Sequence, residues 1–305
     1  MRGSFKTIAI LAAIPLVGLA AFFFWQWING GELPQETYDE AVGKVERPAA
    51  THVNRDALKP EAPPVKAGAA SRRRRSKTDP LPELPREGRG DIVLIIDDLG
   101  FDGQPLERLM ALDPNVNCSI LPNGTRAAEF ADRLNARGFE ILCHLPMEPR
   151  GGAAPGRNAI LTSMSDEEIA RLTRENIEAI PHARGVNNHM GSRATADRRV
   201  MTSVLRAMPD ELYFIDSRTG AGSVAEDVAR EMNVRTAGRH VFLDDVATER
   251  EVRRQVRQLA SAAQKQGVAI GIGHPYPVTL RVLAEELPAL RERGFRLIRA
   301  SEVVR

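Results

Sequence analysis

Beyond residue 90, aspartate and histidine residues recur directly after short apolar runs. Asp97, Asp98, His144 and His274 all occupy such positions. Carboxylates and imidazoles are the side chains that bind divalent metal ions and transfer protons at catalytic sites. Because side chains alternate along a strand, one of two adjacent aspartates could face a metal while the other contacts a water molecule. Acids at strand ends also cap helices, so it is the whole set that indicates metal-assisted acid–base chemistry.

Two further motifs could supply metal ligands. His144 and Glu148 are four residues apart, so both could bind one ion if the intervening segment turns. His189 lies within the polar segment 187–192, and its imidazole is a candidate third ligand. A buried histidine beside a surface glutamate would explain the first motif without a metal, and an ordinary turn would explain the second.

His274 lies in a conformationally restricted segment. Residues 273–277 read Gly-His-Pro-Tyr-Pro, and the two prolines favour a well-positioned proton donor or acceptor. A rigid loop with a hydrogen-bonded histidine is the alternative. Asp216, Asp244 and Asp245 follow other apolar runs. In parallel α/β folds such strand ends converge on one face, where ligands bind, so these side chains are expected to meet there.

Short strands and amphipathic helices, which would place these residues, are predicted to alternate from about residue 91 to residue 305. The predicted strands are 92–96, 116–121, 139–143, 213–215, 241–243, 268–272 and 296–298. The predicted helices are 104–112, 126–137, 166–180, 196–208, 224–233, 249–266 and 280–293. Ser165 and Glu168 form a capping-box pattern at the start of the third helix. The alternation predicts an α/β domain with a mainly parallel sheet, either open or closed into a barrel.

The N-terminal segment, residues 1–29, is different in kind. Residues 8–25 contain no charged side chain and would span roughly 27 Å as a helix, close to the thickness of a bilayer core. Arg2 and Lys6 precede this run and acidic residues follow it, which predicts a cytoplasmic N-terminus. A cleaved signal peptide is the alternative, although the run continues through Trp27 without a clear cleavage site. We expect a single-pass inner-membrane anchor and a periplasmic C-terminal domain.

Residues 30–90 lack periodicity and are rich in proline, alanine, glutamate and arginine. Such a segment cannot bury enough apolar area to offset the entropy lost on ordering, so a disordered linker is predicted. The arginine run from Arg72 to Arg75 could bind anionic lipid or a wall polymer. A solvated linker explains the same run.

The composition narrows the classes of function. Hydrophobic residues make up 43% and charged residues 27% of the 305 residues, which is ordinary for a globular domain. A formal net charge of +2 argues against nucleic acid as a partner. Cys118 and Cys143 are the only cysteines, so a disulfide scaffold and a zinc ribbon are excluded, and buried thiols are expected.

Five motifs, in this order, resemble those of the divergent polysaccharide deacetylase family, which is related to the metal-dependent carbohydrate deacetylases. The resemblance covers about residues 91–305. The motifs are Ile-Ile-Asp-Asp-Leu-Gly at 95–100, His-Leu-Pro-Met-Glu-Pro at 144–149, Gly-Val-Asn-Asn-His-Met-Gly-Ser at 185–192, Phe-Ile-Asp-Ser-Arg-Thr at 214–219 and Gly-His-Pro-Tyr-Pro at 273–277. The resemblance implies an irregular (β/α) barrel of the polysaccharide deacetylase type.

The resemblance also implies roles for the metal-binding motifs. Asp97 would be the catalytic base, and Asp98 and His144 would be metal ligands. Glu148 stands where the better-understood deacetylases have a further histidine ligand. The ligand set would then include Glu148, with His189 as a possible replacement for the missing histidine.

The later motifs would complete the site. His274 matches the general acid of these deacetylases, and Asp216 resembles the acid that orients it. Their arginine-proline motif is missing, and residues 187–192 stand in its place. The side chains that we expect to contact the substrate are Asn187, Asn188, Arg218 and Tyr276.

These motifs together imply a metal-dependent hydrolase that removes N- or O-acetyl groups from a polysaccharide or cell-envelope glycan. Zinc suits the mixed nitrogen and oxygen ligands, although manganese, iron or cobalt would also fit. One alternative is a non-catalytic periplasmic module that binds glycan or protein with the same fold. Another is a metal-dependent phosphoesterase, for which Arg193, Arg218 and Arg239 are the candidate phosphate contacts.

Overall fold

A computed structural model describes residue 81 and residues 89–305 of the chain. Within these residues the strands are β1 (Gly90–Leu99), β2 (Asn117–Ile120), β3 (Glu140–Met147), β4 (Ala183–Met190), β5 (Tyr213–Asp216), β6 (Thr236–Gly238), β7 (Val241–Phe242), β8 (Val268–Gly273) and β9 (Phe295–Leu297). The helices are α1 (Leu106–Met110), α2 (Ala127–Ala136), α3 (Asp166–Glu178), α4 (Arg198–Ala207), α5 (Ala225–Glu231), α6 (Glu249–Gln266) and α7 (Pro277–Glu292).

The strands form one sheet in the order β6-β5-β4-β3-β2-β1-β8-β7, and β9 pairs with the start of β1. Every strand pairing in the described residues is parallel. The sheet curls into a half-barrel, so the predicted parallel α/β architecture is confirmed. As parallel strands end at the same edge, the polar residues that follow them lie on one side of the half-barrel.

Alternation along the strands separates two apolar cores. On β1, Ile92, Leu94 and Ile96 face the helices and join the larger core, whereas Val93 and Ile95 join a smaller core inside the half-barrel. The C-terminal residues Ala300 and Val304 pack into this inner core. Polar side chains then replace apolar ones at the carboxyl ends of the strands, and this change positions the candidate site.

The predicted elements are present, with ends shifted by a few residues, and residues 249–266 form α6 as predicted. Ser165 and Glu168 make the predicted reciprocal capping box of α3. The buried positions of Cys118 and Cys143 are confirmed. The strands β4 and β6 were not predicted, because β4 is rich in polar residues and β6 is only three residues long.

The predicted membrane anchor, residues 1–29, and nearly all of the predicted linker, residues 30–90, lie outside the described residues. Within the part that the structure describes, no helix combines the length and the apolar composition needed to cross a bilayer.

Candidate metal centre

Asp98, His144 and His189 converge at the carboxyl ends of β1, β3 and β4. The Oδ1 atom of Asp98 lies 3.1 Å from Nε2 of His144 and 2.9 Å from Nδ1 of His189. The three candidate ligand atoms all lie within 4.8 Å of one another. One carboxylate oxygen and two imidazole nitrogens are a ligand set typical of a catalytic metal site with one open position.

The backbone at Asp98 brings two consecutive aspartates to the same site. Asp97 follows the inward-facing Val93 and Ile95 in alternation, so strand geometry alone would turn Asp98 toward the helices. However, Asp98 has a left-handed φ of 58°, and the pairing of β1 with β2 shifts register between Ile96 and Leu99. This irregularity turns the second carboxylate back toward the site. A left-handed φ is uncommon outside glycine, and such backbones are found often at functional sites.

The distances from Asp98 to the two imidazoles suit a shared metal ion. Ligand atoms about 2.0–2.1 Å from a tetrahedral ion are about 3.3 Å apart, which is close to the distances from Asp98 Oδ1 to the two imidazoles. That oxygen is buried, and no hydrogen bond of good geometry satisfies it despite its two close nitrogen neighbours. A buried carboxylate oxygen that faces two imidazoles without aligned hydrogen bonds is a natural ligand for a cation.

The pKa values of the two adjacent aspartates are shifted in opposite directions. Burial raises the pKa of Asp98, but contacts with His144 and His189 outweigh it and hold this pKa well below its ordinary value. Burial also raises the pKa of Asp97, and the charges of His144 and His274 only partly offset it, so the net shift is upward. Asp98 is therefore the better ligand, and Asp97 has the raised pKa that suits a group that must accept a proton.

His274 lies across the site from these ligands, with its Nε2 atom 3.6 Å from Oδ2 of Asp98. Its orientation is set by Asp244, which accepts hydrogen bonds from the His274 ring at Nδ1 (2.9 Å) and from the His274 backbone N–H (2.7 Å). Thr279 donates to the same carboxylate over 2.8 Å. The prediction that Asp216 orients His274 was wrong: Asp244, which follows the short strand β7, makes that contact.

The contacts of Asp244 also determine the charge of His274. Burial lowers the pKa of the imidazole, but the hydrogen bond to Asp244 and the charges of Asp98, Asp244 and Asp97 outweigh it. Together they raise the pKa of His274 to about 9. A histidine that holds its proton at neutral pH and faces the site through Nε2 is suited to act as a general acid.

Asp216 instead shapes the loop after β5. It accepts hydrogen bonds from the backbone N–H of Arg218 (2.8 Å) and from Oγ of Ser223 (2.7 Å). Arg218, predicted to contact substrate, forms an ion pair with Glu226 and donates to the backbone carbonyl of Arg239 (3.2 Å). This loop and the start of α5 enclose a cavity of about 380 Å³ that Asp216 and Arg218 line.

The prediction that Glu148 is a metal ligand is also corrected. Its carboxylate accepts hydrogen bonds from the backbone N–H (2.7 Å) and Oγ1 (2.6 Å) of Thr162 and pairs with Arg193 (2.9 Å). Its backbone carbonyl accepts from the N–H groups of Arg193 and Ala194. Glu148 thus ties the long loop after β3 to the loop after β4. Because β3 stays extended through Met147, it carries Glu148 roughly 13 Å along the strand from His144, too far for both to bind one ion.

Asn187 and Asn188, predicted to contact substrate, are fully buried and bonded within the protein. Asn188 accepts a hydrogen bond from the backbone N–H of Ser217 (2.9 Å) and donates to the backbone carbonyl of Met190 (2.7 Å). Asn187 contacts both Asp97 (2.8 Å) and His144 (2.9 Å). These two asparagines support the site from beneath and do not line its open side.

Aromatic side chains border the site near His274. The Tyr276 ring, which is half-buried, lies 5.5 Å from the His274 ring at an interplanar angle of 37°. Phe242 approaches the other edge of His274 at 5.3 Å, and the guanidinium of Arg239 lies 4.9 Å from the Phe242 ring centre. Tyr276 therefore lies next to the candidate general acid, and its contact with substrate stays a prediction.

The parallel α/β half-barrel carries an Asp–His–His cluster at its strand ends, with a further aspartate and histidine beside it. This combination is typical of a metal-dependent catalytic centre. The model of the divergent polysaccharide deacetylase family matches residues 94–304. This match spans more than half of the chain and every motif described above. The chain belongs to the divergent polysaccharide deacetylase family.

Two relatives and one crystal structure are similar to this chain. The uncharacterized protein YibQ of Escherichia coli strain K12 is 35% identical over 197 residues, which cover 64% of this chain and 62% of YibQ. An uncharacterized protein of Haemophilus influenzae is 35% identical over 202 residues, covering 66% of this chain and 72% of that protein. The uncharacterized protein ATU2773 of Agrobacterium tumefaciens C58 has a TM-score of 0.68 at 22% identity, covering 73% of this chain and 92% of that one. This last likeness supports the fold.

Proposed function

We propose that this protein is a metal-dependent hydrolase that removes acetyl groups from a polysaccharide or cell-envelope glycan. The observation that carries this proposal is the convergence of Asp98, His144 and His189, with Asp97 and His274 beside them. Three candidate ligands, a carboxylate of raised pKa and an imidazole that keeps its proton are the groups that hydrolysis of an acetyl group requires.

Asp98, His144 and His189 would hold the metal, and zinc fits their mixture of oxygen and nitrogen ligands. When bound, the metal would acidify a water molecule and polarise the acetyl carbonyl. Asp97 would accept the proton of the attacking water at its carboxylate. His274 would donate its Nε2 proton to the leaving amine or hydroxyl of the glycan, while Asp244 keeps the ring in place.

The substrate class follows from membership in the family and from the open side of the site. Tyr276 offers an aromatic face beside His274, and sugar rings stack on such faces. We further propose that residues 1–29 anchor the protein in the inner membrane and that residues 91–305 work in the periplasm. Protease added to intact spheroplasts should then remove the C-terminal domain, and complete protection of that domain would contradict the proposed location.

The metal content of the purified full-length protein is the first measurement. Close to one equivalent of zinc or another transition metal, lost in both Asp98→Asn and His144→Ala, is expected if the site is a metal centre. Acetate release from acetylated glycans by the metal-loaded protein, and none by the two variants, would then support the deacetylase. A folded protein that takes up no metal after supplementation would overturn the hydrolase and favour the non-catalytic binding module.

The phosphoesterase alternative has less support from the site. The guanidinium groups proposed for phosphate binding all have protein partners. Arg193 pairs with Glu148, and Arg218 pairs with Glu226. Arg239 donates to the backbone carbonyls of residues 217 (2.6 Å) and 218 (2.8 Å). Phosphate release from a phosphoester by the metal-loaded protein, without acetate release from glycans, would reverse this preference.

A further inference from the structure

A buried layer of polar side chains includes the candidate metal ligand His144 and extends beneath the candidate metal centre. It contains one residue from each of five neighbouring strands or the segment just after: Asp97 on β1, Ser119 on β2, His144 on β3, Asn187 on β4 and Ser217 just after β5. None of the five is more than 4% exposed. Polar groups buried this deeply almost always have hydrogen-bond partners, so the members of the layer that bond one another fix each other's orientation.

Asn187 is the residue that joins the layer. Its Oδ1 atom accepts a hydrogen bond from Oγ of Ser119 (2.5 Å) and lies 2.9 Å from Nδ1 of His144. Its Nδ2 atom donates to Oδ1 of Asp97 (2.8 Å) and to Oγ of Ser217 (3.2 Å). All four neighbours come from different strand positions, and each uses a different site on the carboxamide.

The carboxylate of Asp97 determines which way the carboxamide points. In the opposite orientation the amide oxygen of Asn187 would face a carboxylate oxygen at 2.8 Å, and two acceptors would meet without a proton. With Asp97 ionised, as a base must be, the amide oxygen therefore faces Ser119 and His144, which is the orientation that the structure shows. The Nδ1 atom of His144 must in turn carry a proton, because it faces an acceptor.

A proton on Nδ1 of His144 leaves the other ring nitrogen free to bind a metal ion. With the proton of His144 held on Nδ1, the lone pair of the neutral ring is on Nε2, the atom that faces Oδ1 of Asp98 at 3.1 Å. A hydrogen bond from the second ring nitrogen to a fixed acceptor is the usual way in which proteins orient a metal-binding histidine. The same carboxamide holds Asp97, so the ligand and the base share one support.

We infer that Asn187 is a positioning residue that sets, through a single carboxamide, both the ring of the metal ligand His144 and the carboxylate of Asp97. The role of Asp97 in this inference rests on the proposed deacetylase function. The constraint on His144 rests on the hydrogen bonds and on Asp97 being ionised, and it does not depend on the reaction that the site catalyses. Asn187 therefore acts through other residues and does not contact the substrate.

Two substitutions of Asn187 separate its two contacts. Asn187→Asp keeps an oxygen that can accept from His144 but replaces the amino group that faces Asp97 with a second acceptor. Asn187→Ala removes both contacts. Asn176→Ala is the matched control, since Asn176 is also buried, at 3% exposed, and its amide donates to the backbone carbonyl of residue 158, outside the polar layer.

The first readout needs neither metal nor activity. In metal-free protein with labelled histidine, nitrogen NMR should show a slowly exchanging proton on Nδ1 of His144 in the unaltered protein, in Asn187→Asp and in the Asn176→Ala control. This signal should be lost in Asn187→Ala. An unaltered protein that lacks the signal, or an Asn187→Ala variant that keeps it, would overturn the inference.

The second readout is zinc affinity measured by competition with a chromophoric chelator. Asn187→Ala should bind zinc about 10- to 100-fold more weakly, the usual loss when the partner of a metal-binding histidine is removed. Asn187→Asp should stay within about threefold of the unaltered protein while its turnover falls at least tenfold, because two carboxylates this close share one proton and Asp97 is then no longer a free base. Equal loss of affinity in both variants, with the control unaffected, would refute the separation of roles.

The two readouts distinguish this inference from the proposed function. The expected NMR pattern in a protein that binds no metal would support the constraint on His144 and overturn the hydrolase. A protein that binds zinc and releases acetate, but whose affinity is unchanged in Asn187→Ala, would support the hydrolase and overturn the positioning role.

Discussion

The pairing of Asp244 with His274 leads to a prediction that can be worked out from the contacts. The Asp244 side chain is 0% exposed, and its two oxygens accept three hydrogen bonds, from the His274 ring, the His274 backbone and Thr279. Asp244→Asn keeps the shape of the side chain but replaces one oxygen with an amino group. At least one of the three donors then loses its acceptor, and the imidazole loses its charged partner.

The expected magnitude follows from the strength of such contacts. A hydrogen bond to a buried charged group contributes about 1.5–3 kcal/mol, and a charge left without its partner is costly as well. If this contact stabilises the transition state by keeping His274 oriented and protonated, its loss raises the activation free energy by the same amount. Turnover should then fall about 10- to 150-fold. The free energy of unfolding should fall by about 1–3 kcal/mol, because the contact also supports the loop between β8 and α7.

The assay compares Asp244→Asn with Asp216→Asn, measuring acetate release and metal content on the same metal-loaded samples. Asp216 is the acid that the sequence resemblance assigns to His274, yet it bonds Arg218 and Ser223. Metal content should be unchanged in both variants, and turnover should fall strongly in the Asp244 variant alone. A change of less than threefold in Asp244→Asn, or a larger loss in Asp216→Asn, would show that Asp244 does not orient His274 for catalysis.

Three further outcomes are expected. Glu148→Gln should keep its metal, because Glu148 bonds Thr162 and Arg193. A loss of metal content as large as that in Asp98→Asn would show instead that Glu148 is a ligand. Zinc at about 100 times its dissociation constant should stabilise the unaltered protein by about 2.7 kcal/mol in thermal unfolding but leave His144→Ala unchanged. Gly185→Ala should lower the free energy of unfolding in urea by about 1–3 kcal/mol, because a Cβ atom there would lie 2.3 Å from the Tyr213 ring; unchanged stability would contradict this packing argument.

Much of the fold could be predicted because its signals are local. Apolar runs of strand length, amphipathic helical periods and the Ser165–Glu168 capping box are all properties of a few neighbouring residues, and the structure contains each of them. The strand β4 could not be predicted in this way. Its residues include Asn187 and His189, and it forms because β3 and β5 pair with it on both sides.

The candidate site was predictable as a set of strand-end residues but not as a set of contacts. Asp98, His144 and His189 meet as the parallel strand ends imply. The assignment of Glu148 depended on its spacing from His144, and two ligands at that spacing meet only if the chain turns between them. The spacing does not show that β3 stays extended through Met147 and brings the Glu148 carboxylate to Thr162 instead.

The polar residues at the strand ends, and the order of the elements that carry them there, can be read from the amino-acid sequence. An apolar run followed by aspartate or histidine indicates a buried strand with a polar end. The reason is that the free-energy cost of burying a side chain depends on its own polarity. Which acid orients His274, in contrast, depends on how the strands pack. The positions of β7 and β8 in the sheet bring Asp244 against His274, although 30 residues separate them in the chain. The tertiary structure also decided that Asn187 supports the site from inside, since the inward face of β4 is defined only once its neighbours are paired.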